Sequence, residues 1–117
     1  MNMKVWCISP QSGGTKIPLS LQKTITDQAN AYATTQGWSK QFRLVLRYRN
    51  QFCYLDAAEE GKEPFPIGRL RYFSGRGHWS LAFYTYSHER YEPCVFDNGE
   101  WFGTIEQAIA VCAVYLI

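Results

Sequence analysis

Apolar residues first recur at helical spacing. Pro18 is placed for the first turn of a helix, where its missing N–H costs nothing. Leu21, Ile25, Ala29, Tyr32, Ala33 and Gln36 then follow at steps of three and four, with Thr, Gln, Asp and Asn between them. The spacing predicts an amphipathic helix of about five turns closed by Gly37. Its alanine-rich stripe permits close packing on a sheet.

The period then changes to two. Phe42, Leu44, Leu46 and Tyr48 alternate with Arg43, Val45, Arg47 and Arg49, Asn50-Gln51 turns the chain, and Phe52 to Ala57 returns. Residues 58–66 read as a polar loop. Ile67 to Phe73 is a third strand, with Leu70 and Tyr72 on one side and Arg69 and Arg71 on the other. His78 to Tyr86 is a fourth, with Trp79, Leu81 and Phe83 facing inward. After a polar corner (Ser87 to Arg90), Tyr91 to Phe96 is a fifth, and Pro93 argues for an edge position there. Asn98-Gly99 is turn chemistry.

Thr104 and Gln107 have capping-box spacing, and Ile105, Ala108, Ile109, Cys112, Ala113 and Leu116 supply the buried side of a last helix running to the C-terminus. Trp101 and Phe102 read as the apolar anchor in front of it. The pattern therefore predicts an α+β fold: an antiparallel meander of four to five strands, flanked by an N-terminal and a C-terminal helix packed on one sheet face. Residues 1–17 form a lead-in arm or short edge strand, and 18–117 a single domain.

Length supports that reading, since 117 residues can bury a core without metal or disulfide help. Aromatic residues, at 16%, mean either a core built from rings or a surface that stacks with them. The net charge of +2 excludes little, but its distribution is polarised. From Lys40 to Arg76 there are eight basic residues against four acids, and from His88 to Glu106 five acids against Arg90 alone. Cys7, Cys53, Cys94 and Cys112 lack metal-site spacing and are expected to be free thiols in a reducing compartment. Neither a signal peptide nor an apolar run of membrane-spanning length is visible, so a cytoplasmic protein without membrane contact is expected. Ser12-Gly13-Gly14 lacks the remainder of a phosphate-loop pattern.

If the apolar positions face the helices, Arg43, Arg47, Arg69, Arg71, Tyr84 and Tyr86 fall on the other side of the sheet. Guanidinium forks recognise phosphate and carboxylate, and tyrosines on a sheet stack on unpaired bases. The plainer alternative is a solvated face on which arginine covers tyrosine. A second cluster comprises His78, His88, Glu92 and Cys94, with Glu89 nearby. Glu92 and Cys94 share a side of their strand, but no nucleophile elbow or triad spacing orders the group. No metal or cofactor is expected.

The pattern Trp79, then Tyr91-Glu92-Pro93, then Gly103-Thr104-x-Glu106-x-Ala108 resembles a family of small uncharacterised bacterial proteins, notably cyanobacterial ones. That resemblance covers about residues 18–117, implies a small α+β domain and carries no site with it. A looser analogy is to small ribonuclease toxins, which also carry Arg, Lys, Tyr and His on a sheet. The expected function is a non-catalytic binding domain for single-stranded nucleic acid or another anionic ligand. The alternatives are a ribonuclease-like toxin using His78 or His88, and a protein-interaction or homodimerisation module.

Overall fold

The computed structural model describes residues 9–74 and 78–117, and for His78 only its backbone place in a strand. Helix α1 spans Leu19–Ala33 and is followed by a short 3-10 turn at Gly37–Lys40. Strands β1 (Phe42–Arg49), β2 (Phe52–Glu59), β3 (Phe65–Phe73), β4 (His78–Thr85) and β5 (Arg90–Cys94) come next. A two-residue strand β6 (Phe102–Gly103) precedes α2 (Ile105–Cys112), and Ala113–Leu116 closes the chain as a 3-10 turn.

The sheet is an antiparallel meander in the order β1-β2-β3-β4-β5, with β6 pairing beside β5 on the far half of β4. Register fixes two faces. Tyr48, Cys53, Leu70, Leu81 and Cys94 lie in one row, and Leu46, Leu55, Gly68 and Phe83 in the next. Those rows form one core with Ile25, Ala29 and Ala33 of α1 and with Ile105, Ala108, Ile109 and Cys112 of α2. Tyr48 ties β1 to α1, its hydroxyl donating to the Gln22 carbonyl at 3.1 Å and lying 2.7 Å from the Thr26 hydroxyl. Gln28 of α1 donates to Glu106 of α2 at 2.9 Å.

Several boundaries differ from the sequence pattern. Helix α1 stops at Ala33, where Thr34 and Thr35 hydroxyls bond to backbone carbonyls three residues back, so Gly37 opens the 3-10 turn instead of closing the helix. Pro18 is the cap residue and not the first helical one. Strand β2 runs on to Glu59 and β3 begins at Phe65, because a bulge lets Pro66 sit inside the ladder: Leu55 pairs with Gly68 but Asp56 with Pro66. Ile67, the extra residue, is fully buried. Strand β5 stops at Cys94, and Phe96 turns into the core while its backbone bonds with Gly99 and Glu100 close the Asn98 turn. Phe102 belongs to a strand, pairing with Ser80. The Thr104 capping box forms, with Gln107 N–H to Thr104 Oγ1 at 3.1 Å and Thr104 N–H to Gln107 Oε1 at 2.8 Å.

Candidate ligand-binding face

Strand pairing carries the arginines and a set of rings to the sheet face away from the helices. One row across the sheet reads Arg47, Tyr54, Arg69, Ala82, Pro93, and the next reads Arg49, Phe52, Arg71, Ser80, Phe102. Tyr84 pairs with Tyr91 further along. Arg43 lies opposite Ala58 on the β1 edge, exposed, in a groove shared with Lys40, Glu59 and Lys62. Glu59 is already committed to Lys62 at 3.2 Å and to Gln41 at 2.7 Å.

The face divides into two halves with different electrostatics. In the first, Arg47 makes a two-pronged ion pair with Asp56 and sits 4.8 Å over the Tyr54 ring. Tyr54, Tyr91, Tyr84 and Tyr86 continue from there as a chain of edge-to-face contacts 4.8–5.5 Å apart. Tyr86 donates to the Pro66 carbonyl at 2.6 Å, and partial burial pushes its hydroxyl up to about 12. The Tyr115 hydroxyl donates to the Tyr84 carbonyl. This half is largely satisfied from within.

The second half is different. Arg69 lies 4.3 Å over Phe52 and 5.2 Å from Tyr91, and Arg71 lies 4.7 Å over the same Phe52. Among the described residues no carboxylate pairs with either. Burial and then the neighbouring Arg69 charge hold the Arg71 pKa below its ordinary value. The two guanidiniums, Phe52, Pro93 and the lead-in residues Pro10 and Gln11 wall a shallow pocket.

The structure thus brings together Arg47, Arg69 and Arg71, leaves Arg43 at the edge, and packs Tyr84 and Tyr86 edge-on against other rings. Phe52, Tyr54, Asp56 and Tyr91 belong to the face and were not singled out in the sequence. Strand parity could have found the first three, since positions 52, 54 and 56 must face the same way as Arg47 and Arg49 once the Asn50-Gln51 turn is set.

Of the second cluster, His88 and Glu92 meet, while Cys94 turns to the core. His88 Nδ1 and Arg90 Nε both contact Glu92 Oε2 at 3.0 Å, holding the Glu92 carboxyl below its ordinary range. Cys94 pairs with Leu81 on the core side, and burial pushes its thiol up, the wrong direction for a nucleophile. The His78 side chain lies outside the described residues. Among the described residues no group of three His, Cys, Asp or Glu is placed to hold a metal ion, and no helix is long and apolar enough to cross a membrane. No protein-family model, curated protein or solved structure matches this chain.

Proposed function

We propose that this chain is a non-catalytic binding domain whose open sheet face takes an anionic ligand, with single-stranded nucleic acid as the leading class. Arg69 carries the reading. Its guanidinium stacks over Phe52 and beside Tyr91 at the middle of the sheet, with no carboxylate partner among the described residues and a second guanidinium alongside. A phosphate entering there would balance both charges, and the aromatic floor would then accept planar bases. Arg47 contributes less than its position in the sequence suggests, because Asp56 already neutralises it.

The test is fluorescence anisotropy of a labelled single-stranded RNA against the wild-type chain and Arg69→Ala over a range of salt. Wild-type binding that weakens with salt, and Arg69→Ala binding that is about tenfold weaker with a shallower salt dependence, is the expected result. Absence of binding at low salt overturns the proposal and leaves a protein partner, including a second copy of this chain, as the class to pursue.

A further inference from the structure

The Arg71 fork is already holding something. Its Nη1 donates to the Gly13 carbonyl at 2.8 Å and its Nη2 to the Gln11 carbonyl at 3.0 Å. Two oxygens presented to one guanidinium is also what a phosphate offers, but a phosphate brings charge, and charge-assisted bonds are about twice as strong as those to a neutral carbonyl. Arg71 is partly desolvated beside Arg69, so an anion relieves more than a carbonyl does.

Immediately beyond this point backbone bonds tie the chain to the sheet. Thr15 N–H donates to the Tyr72 carbonyl and Ile17 N–H to the Asn50 carbonyl, each at 2.9 Å, and Ile17 is buried in the core. Gly13 and Gly14 have φ of +74° and +96°, the left-handed region that glycine adopts freely. Gly14 passes so near the sheet that a Cβ there would lie 2.8 Å from the Tyr72 carbonyl oxygen and 3.1 Å from Arg71 Cγ. On the far side of the glycine pair, Pro10 and Gln11 form one wall of the arginine pocket.

We infer that residues 9–14 are a resident strap on the anion site. Two backbone carbonyls fill the Arg71 fork, and a backbone phosphate of the incoming strand displaces them, pivoting the segment at Gly13-Gly14. The lead-in thereby sets the affinity of the face. This inference rests on the nucleic-acid reading proposed above.

Gly14→Val in the full chain dislodges the segment most strongly, since its Cβ would meet the Tyr72 carbonyl oxygen and also press on the Arg71 stem at Cγ, so its affinity is read beside a variant that leaves Arg71 clear. Gly13→Ala is the milder companion: no atom lies within 4 Å of its Cβ, so only the +74° backbone is strained. Thermal unfolding confirms that each variant is folded. Oligouridylate is expected to bind the variants about five- to tenfold more tightly, with a salt slope steeper by roughly 0.7, the freeing of one cationic contact. In the wild-type chain, saturating oligouridylate is expected to lower the backbone amide order parameters of Gln11 to Gly13, while the Thr15 amide beyond the pivot stays protected. Equal affinity in folded variants and wild type, or order parameters at Gln11 to Gly13 that do not change with RNA bound, overturns the strap and leaves the nucleic-acid reading standing. No binding by any of the three proteins overturns the nucleic-acid reading, and the strap falls with it.

Discussion

Arg47 and Asp56 meet diagonally across β1 and β2, with Nε 2.7 Å from Oδ2 and Nη2 3.1 Å from Oδ1. Asp56 is 7% exposed and lies opposite Pro66, which has no N–H to offer it. The arginine is the described charge that compensates this carboxylate. Removing it by Arg47→Ala strands a nearly buried anion, and the expected loss is about 1–3 kcal/mol, between the values for exposed and fully buried pairs. Urea unfolding measures it. Asp56→Asn leaves the exposed arginine able to reach solvent, so a smaller loss is expected, together with tighter RNA binding by the newly unpaired charge. A greater loss from Asp56→Asn than from Arg47→Ala contradicts this account of the pair.

Gly68 sits on the core side of β3 beneath α2, and a Cβ there would lie 2.5 Å from Cys112 Sγ and 3.2 Å from the Ala82 carbonyl oxygen. Its backbone is not in the left-handed region, so the requirement for glycine is steric. Gly68→Ala is expected to cost about 1–3 kcal/mol by overpacking. Cys112→Ala alone leaves a small cavity, while the double variant puts a methyl where the sulfur was. A double-mutant cycle should therefore show favourable coupling, the pair being more stable than the sum of the single changes predicts. Strict additivity means that α2 shifts away and does not press on Gly68.

Much of this arrangement was legible because period-two alternation is a local property. Leu70 and Tyr72 against Arg69 and Arg71 followed from parity, the edge position of Pro93 from its missing N–H, and the Thr104 capping box from its spacing to Gln107. What stayed hidden depended on register or on distant chain segments. The bulge at Ile67 keeps Pro66 in the ladder, and without it the stretch before Ile67 reads as loop. Strand β6 is two residues long, too short to alternate. The Arg71 bonds to Gln11 and Gly13 span about sixty residues, and no local pattern announces them. The candidate face was thus readable as a list of arginines; which of them were already occupied was not.

The thiols give a pH-dependent prediction. Burial pushes Cys53 up to about 12 and Cys112 higher still, while Cys94, half-buried, is raised by the same cause. A thiol with a raised pKa stays protonated at neutral and mildly alkaline pH, and only the thiolate reacts. In the Cys7→Ser variant of this chain near pH 8, disulfide-exchange reagents should label Cys94 first and slowly. Cys53 and Cys112 should react at a rate that follows unfolding by urea. Prompt labelling of Cys53 in the native protein contradicts its burial beneath α1 and α2.

Glu92 supplies the opposite sign. Its carboxyl is held below the ordinary value of 4.5, first by the hydrogen bond from Arg90 and further by His88, with burial opposing both. Because the folded-state pKa is depressed, the stabilisation is fully present above 4.5 and is lost as pH falls through the lower folded value. The β4–β5 corner, where Glu89 adopts φ +54°, should then loosen in acid before the central strands do. Hydrogen exchange read residue by residue between neutral pH and pH 3 tests this order. Glu92→Gln, which cannot titrate, should make protection at the corner independent of that carboxyl, leaving the wild-type and variant profiles superimposed at the acid end and separated at neutral pH. Profiles that stay superimposed at neutral pH as well would show that the Arg90–Glu92–His88 contacts do not hold the corner.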